Sequence, residues 1–107
     1  MEIKKLSIII PCFNEGPTIY KILDKIKAVT LINAIEKEII IVNDFSSDNT
    51  VESIQNYIQN NQELNIVFEQ HKKNLGKGAA LHTGINLASG DVIIIQDADL
   101  EYDPEEY

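Results

Sequence analysis

The chain has 107 residues, of which 44% are hydrophobic, and 17 acidic against 9 basic side chains give a net charge of −8. That length holds one domain, and the apolar content is that of a globular chain rather than a disordered one. Nine lysines, no arginine and the acidic excess exclude the cationic stripe that non-specific nucleic-acid binding requires. They still admit a phosphorylated ligand, because a metal ion or helix N-termini can neutralise phosphate locally.

Nineteen isoleucines against three phenylalanines and no tryptophan point to a strand-rich core. Cys12 is the only cysteine, which excludes an intrachain disulfide and suits a reducing compartment. Residues 1–5 are charged and lead straight into an apolar run, so no signal peptide is read there, and no apolar run is long enough to span a bilayer. A cytoplasmic location, at the membrane face if the protein meets a lipid, is the expectation.

Residues 6–11 (LSIIIP) read as a first, central strand, ended by Pro11, which has no N–H for a ladder. Gly16-Pro17 then punctuates the chain, with Pro17 suited to a first helical turn. Ile19, Ile22, Leu23, Ile26 and Val29 recur at three- and four-residue spacing between lysines and Asp24, the pattern of a helix laid on a sheet. Residues 38–42 (EIIIV) form a second buried strand. The polar stretch 43–50 (NDFSSDNT) is rich in capping residues, with Asn49, or Ser47 and Asp48, placed to cap a helix striped by Val51, Ile54 and Ile58. Residues 64–68 (LNIVF) make a third, shorter strand nearer an edge. The basic loop 72–78 (KKNLGKG) leads into a small-residue helix over 79–88, for which Gly90 is the expected C-terminal cap. Residues 92–95 (VIII) complete the set as a strand buried on both faces.

The order β-α-β-α-β-α-β predicts a Rossmann-like α/β domain: a parallel sheet in the order 3-2-1-4 with helices on both faces. In such sheets ligands bind beyond the carboxyl ends of the strands, at the point where the order reverses. That point lies between the first and fourth strands, where residues 11–15 and 97–99 cluster, with the equally polar 43–46 beside them. Asp97 and Asp99 are one residue apart, so in extended chain both face one point, and hard cations such as Mg²⁺ or Mn²⁺ take oxygen ligands of this kind. An acidic turn closing a strand gives the same D-x-D. Glu15 serves a helix N-terminus equally well. Asp44 reads as a turn residue or as an acceptor for a nucleobase N–H or a ribose hydroxyl. Phe13 reads as core or as an aromatic face for a base, and Lys77 as a solvated lysine or a contact for a diphosphate. His71 and His82 lack a partner at metal-ligand spacing and read as ordinary polar residues. Cys12 reads as a packed thiol, since nothing near it supplies a base.

Three phosphate motifs fail. A dinucleotide fold needs G-x-G-x-x-G after the first strand, where the chain has PCFNEG. A Walker A loop needs glycine five positions before Gly76-Lys77 and Ser or Thr after it; His71 and Gly78 stand there. An aspartyl-phosphate transferase of the haloacid dehalogenase type carries its D-x-D after the first strand, not the fourth.

Four ordered blocks, SIIIPCFNE, IIVNDFSSDNT, NLGKGAALHTG and GDVIIIQDADLEYDP, closely resemble the N-terminal half of family-2 inverting glycosyltransferases. Within that family the likeness is to the branch, similar to dolichol-phosphate mannose synthases, that uses polyisoprenyl-phosphate acceptors. The resemblance covers the whole chain. It implies a GT-A fold cut short, a nucleotide-diphospho sugar donor, Mg²⁺ or Mn²⁺, and a lipid-phosphate acceptor. It implies that Pro11, Phe13 and Glu15 line the nucleoside pocket and that Asp44 contacts the base. Asp97, Ala98 and Asp99 would form the D-x-D that holds ribose, metal and diphosphate, with Lys77 near the diphosphate. The acceptor-binding half and the general base are expected beyond residue 107, so no residue here is assigned that role.

The second block departs from the family's usual Asp-Asp-Gly-Ser. Asn43 lacks a charge, and Phe45 stands where glycine adopts a backbone conformation other residues enter at a cost. Two other readings remain open: a nucleotide-binding module without turnover, and a nucleotidyltransferase, although residues 11–16 lack the glycine-rich basic loop of the latter. A fourth strand left at the sheet's edge is expected to drive self-association through Val92 to Ile95.

Overall fold

The computed structural model describes residues 4–13, 19–28, 35–45 and 49–96. Its elements are β1 (Lys5–Cys12), α1 (Ile19–Ala28), β2 (Glu36–Asn43), α2 (Thr50–Asn60), β3 (Ile66–Gln70), α3 (Lys77–Leu87) and β4 (Val92–Ile95). The strands form one parallel sheet in the order β3-β2-β1-β4, the expected arrangement.

Side-chain alternation along the strands divides the core in two. Leu6, Ile8, Ile10, Ile39 and Ile41 pack on one face with Ile19, Ile22, Leu23 and Ile26 of α1 and Ile54 and Tyr57 of α2. On the other face Ile9, Ile40 and Val42 meet Ala80 of α3. The helices therefore cover both faces, and β1 and β2 are buried between them. Two ties lock α1 to its neighbours: Tyr57 donates to Asp24 at 2.8 Å, and Lys37 donates to the Ile26 carbonyl at 2.9 Å.

Pro11 does not end β1, which continues through Cys12 opposite Asn43. In a parallel strand alternate residues turn their N–H and C=O to opposite neighbours. The Ile9 carbonyl serves the β4 side, where it accepts from Gln96 at 2.9 Å. Pro11 shares that parity, so its missing donor leaves the β1–β2 ladder intact.

α3 approaches the sheet closely. A Cβ on Gly84 would lie 2.5 Å from Cγ2 of the fully buried Ile9, so only glycine allows this contact. α3 ends at Ala88, which is its C-cap, rather than at Gly90. Gly90 has a different function: a Cβ there would lie 2.6 Å from Ser7 Oγ and 2.8 Å from Ser7 N. Its N–H donates to Ser7 Oγ at 2.8 Å, and the side chain's absence is what lets the turn sit on β1. Asn49 occupies the N-cap of α2 but makes no side-chain cap bond; Ser47 and Asp48 lie outside the described residues.

The same turn is held by Glu38, a carboxylate 5% exposed at the start of β2. It accepts from Ser7 Oγ (2.9 Å), Ser89 N (3.0 Å) and Ser89 Oγ (2.8 Å), with Lys5 Nζ at 3.2 Å. Burial pushes its pKa up, but the bonds from Ser89, Ser7 and Lys5 together outweigh that and hold it at about 2.

Candidate functional site

At the opposite, carboxyl end of the sheet the ladder runs one residue beyond the strands. The N–H of Asp44 donates to the Cys12 carbonyl and that of His71 to the Asn43 carbonyl, each at 2.9 Å. Parallel register thus sets Phe13, Asp44 and His71 side by side as the first residues past β1, β2 and β3. Asp44 follows Ile40 and Val42 on the α3 face of the sheet and is 4% exposed.

A buried carboxylate is costly unless its lone pairs are filled. Oδ1 of Asp44 accepts from His71 Nδ1 at 3.0 Å and from the Leu75 N–H at 2.8 Å. Oδ2 accepts from the Gly76 N–H at 2.8 Å. Burial raises the pKa of Asp44, but these three donors and the charge of the His71 ring when protonated bring it below the usual aspartate value. The group is therefore a fixed anion at neutral pH.

His71 is itself held from its far side, with Nε2 2.9 Å from the Thr83 hydroxyl on α3. A neutral ring protonated on Nδ1 donates to Asp44 and accepts from Thr83; a protonated ring donates to both. Asp44, His71 and Thr83 thus form a chain from the end of β2 through the end of β3 to the second turn of α3. The loop between His71 and Gly76 closes around Asp44, and Gly76, at φ +95°, turns it into α3.

The sequence reading named Asp44 but passed over His71 and Thr83. Each looks ordinary alone, because the histidine's partner lies 27 residues away. The usable signal is positional: Asp44 and His71 each stand one step past a parallel strand, and register makes them neighbours.

Among the other expected site residues, Pro11 is buried opposite Val42, and Phe13 is 45% exposed just past β1. Lys77 is exposed and opens α3, one residue after the Gly76 N–H on Asp44. With Asp44, these three residues gather at the carboxyl end of the sheet. Glu15, Asp97, Ala98 and Asp99 lie outside the described residues. Phe45 adopts φ +47° and is 48% exposed. The left-handed conformation expected to want glycine is thus kept by a phenylalanine, at a cost of about 1–2 kcal/mol.

Among the described residues no three acidic, imidazole or thiol groups cluster to hold a metal ion. The pair Asp97 and Asp99 follows directly on Gln96, whose N–H is fixed to Ile9 at 2.9 Å. Two carboxylates are a hard oxygen donor set, which fits Mg²⁺ or Mn²⁺ by its chemistry. Ile93 and Ile95 of β4 are 42% and 48% exposed, so β4 is covered on one face only and not buried on both as expected, because among the described residues it is an edge strand with no helix on its second face. That edge is apolar as expected, but nothing in the structure supports self-association through it. Among the described residues no helix is long and apolar enough to cross a membrane.

The sequence profile of glycosyl transferase family 2 matches residues 7–107. The undecaprenyl-phosphate 4-deoxy-4-formamido-L-arabinose transferase of Yersinia enterocolitica is 38% identical over 105 residues, 98% of this chain and 32% of that protein. Its Yersinia pestis counterpart is 38% identical over 104 residues. The chain thus spans about a third of the length of these relatives. Among solved structures, a mannosyltransferase of Pyrobaculum calidifontis in complex with GDP-Man and Mn²⁺ superposes with a TM-score of 0.84 at 26% identity. It covers 92% of this chain, and 28% of its own length is matched. S. aureus TarS residues 1–349 in complex with UDP-GlcNAc gives 0.77 at 26% identity, over 89% of this chain and 26% of that one.

Proposed function

The chain belongs to glycosyl transferase family 2, and on that premise we propose that it is the donor-binding part of an enzyme that moves a sugar from a nucleotide-diphospho sugar to a polyisoprenyl phosphate. The observation that carries this reading is Asp44: a buried, ionised carboxylate just past β2 at the carboxyl end of the sheet, one strand from the β1–β4 reversal, beside an exposed aromatic, Phe13. Open α/β sheets bind ligands at that place. Solved structures of like fold carry GDP-Man with Mn²⁺ or UDP-GlcNAc, and the acceptor class follows the relatives' undecaprenyl phosphate.

In this reading Phe13 offers its face to the base, Asp44 accepts a base N–H, and Pro11 and Glu15 complete the nucleoside pocket. Lys77 draws the diphosphate electrostatically. Asp97 and Asp99, with Ala98 between them, would hold Mg²⁺ or Mn²⁺, which when bound supplies Lewis-acid stabilisation of the leaving diphosphate. An acceptor oxygen forms its bond to the anomeric carbon as the bond to the diphosphate breaks on the opposite side, so configuration inverts. The chain's own contribution is to bind and orient the donor; the 107 residues offer no assigned general base.

Calorimetric titration with a nucleotide-diphospho sugar, with and without Mn²⁺, tests this on the wild type and on Asp99→Ala. Metal-dependent binding that the substitution abolishes is expected. Equal binding by both proteins removes the metal role, and no binding by the wild type removes the assignment.

A further inference from the structure

The donors around Asp44 offset the cost of burying it, and one of them also sets where its oxygens face. We infer that His71 and Thr83 are positioning residues of the donor site: Thr83 fixes the His71 ring, and the ring fixes the plane of the Asp44 carboxylate. This rests on the donor-site reading above, and in it neither His71 nor Thr83 touches the nucleotide.

The terminal torsion of an aspartate is soft, because rotation about an sp³–sp² bond has no sharp staggered wells. The carboxylate plane is therefore set by what its oxygens meet. Leu75 and Gly76 donate to it from the loop between β3 and α3. His71 is tied to the frame on every side. Its backbone N–H donates to the Asn43 carbonyl at 2.9 Å, Nδ1 lies 3.0 Å from Asp44 Oδ1, and Nε2 lies 2.9 Å from the Thr83 hydroxyl. The side chain is 9% exposed, so with both ring nitrogens engaged it braces Asp44 rather than facing a ligand.

Thr83 reaches the ring because α3 lies low on the sheet. Its neighbour Gly84 sits where a Cβ would be 2.5 Å from Ile9 Cγ2, and that close seat brings the Thr83 hydroxyl to the height of the imidazole. An ionised carboxylate only accepts, so Nδ1 carries a hydrogen whether or not the ring is charged. Take the hydroxyl away and Nε2 loses its partner in a place with little water, which is costly. The ring then gains by turning toward solvent, and Asp44 Oδ1 loses the donor that holds it.

The test is calorimetric titration of UDP and of GDP, each with Mn²⁺, into the wild type, the tighter binder then being carried through Thr83→Ser, Thr83→Val, His71→Leu and the double variant Thr83→Val/His71→Leu. Thr83→Ser keeps the hydroxyl and is expected to bind within about twofold of the wild type, whereas Thr83→Val and His71→Leu each bind about fivefold or more weaker. Because Thr83 acts through His71, the double variant is expected to bind no more weakly than His71→Leu alone. Proton NMR gives a second readout. A ring N–H of His71, sheltered from water, is expected to be visible in the wild type and Thr83→Ser and lost to solvent exchange in Thr83→Val. Wild-type affinity or a retained ring N–H in Thr83→Val, an equal loss in Thr83→Ser, or losses that add in the double variant overturn the inference and leave the site reading in place. Should His71→Leu not fold, the Thr83→Ser and Thr83→Val pair decides alone. Binding of neither nucleotide by the wild type overturns the site reading, and the positioning role with it.

Discussion

Glu38 on β2 and Asp44, the first residue past it, stand six residues apart on one face of the sheet and hold opposite ends of α3. Six strand residues span roughly 20 Å, and an 11-residue helix about 16 Å, so one strand is long enough to reach both ends. Glu38 takes the turn that leaves the helix through Ser89; Asp44 takes the loop that enters it through Leu75 and Gly76. Both are carboxylates filled by donors, yet only Asp44 lies at the carboxyl end of the sheet.

The Glu38 end is structural, and its effect is on pH-dependent stability. Its pKa is depressed in the folded chain, to about 2 from an ordinary 4.5. A depressed carboxylate stabilises the fold above its unfolded pKa and loses that contribution as pH falls through the folded value. Glu38→Gln is expected to lose on the order of 2–3 kcal/mol at pH 7, because Ser7 and Ser89 then face an amide that can satisfy only part of the network. Urea melts should show the gap between variant and wild type shrinking from about pH 4.5 down to pH 2. A gap that is constant with pH would contradict the role given to the charge.

The Asp44 end is predicted to combine stability with binding. Asp44→Asn replaces one carboxylate oxygen by a donor and removes the charge, so one of the Leu75 and Gly76 N–H groups loses its acceptor and the other keeps only a neutral one. Amide hydrogen exchange at those two positions should quicken, with a stability loss of about 1–3 kcal/mol, and nucleotide affinity should fall at least about tenfold. Unchanged exchange at Leu75 and Gly76 would contradict the loop-closing role.

Close packing of α3 gives a separate prediction. Gly84→Ala places a methyl 2.5 Å from Cγ2 of Ile9, and Gly90→Ala places one against Ser7 backbone. Each is expected to cost about 1–3 kcal/mol by overpacking, read as a lower urea midpoint. Gly78→Ala serves as the control: a Cβ there meets nothing within 4 Å, and alanine suits a first helical turn better than glycine.

Phe45 is expected to respond in the opposite direction. At φ +47° with a half-exposed ring, it pays conformational strain with little packing to offset it. Asparagine tolerates this backbone region better. Phe45→Asn should raise stability by up to about 1 kcal/mol, and a loss of that size would show that the ring packs against something.

Much of this was legible in the chain itself. Isoleucine runs between helical stripes lead to the parallel order, and reversal of that order marks the carboxyl ends of β1 and β4, with that of β2 beside them, as the site. Phe45 was legible too, as a residue in a place that wants glycine. Gly90 misled, because a glycine just past a helix looks like a cap, whereas here it makes room for Ser7 on a strand 83 residues earlier. His71 was missed for a related reason. Its meaning depends on which strand lies beside which and in what register, and local pattern carries neither. The Asp44 loop was read only as basic, because backbone donors such as Leu75 N–H leave no mark in side-chain chemistry.

The most direct test of the account is an amide NMR titration of the chain with UDP and Mg²⁺. Shift changes are predicted to concentrate at Phe13, Asp44, His71, Leu75 and Gly76, with Glu38, Ser89 and Gly90 at the other end of α3 unmoved. Changes centred on the Glu38 end, or none at saturating nucleotide, would contradict it.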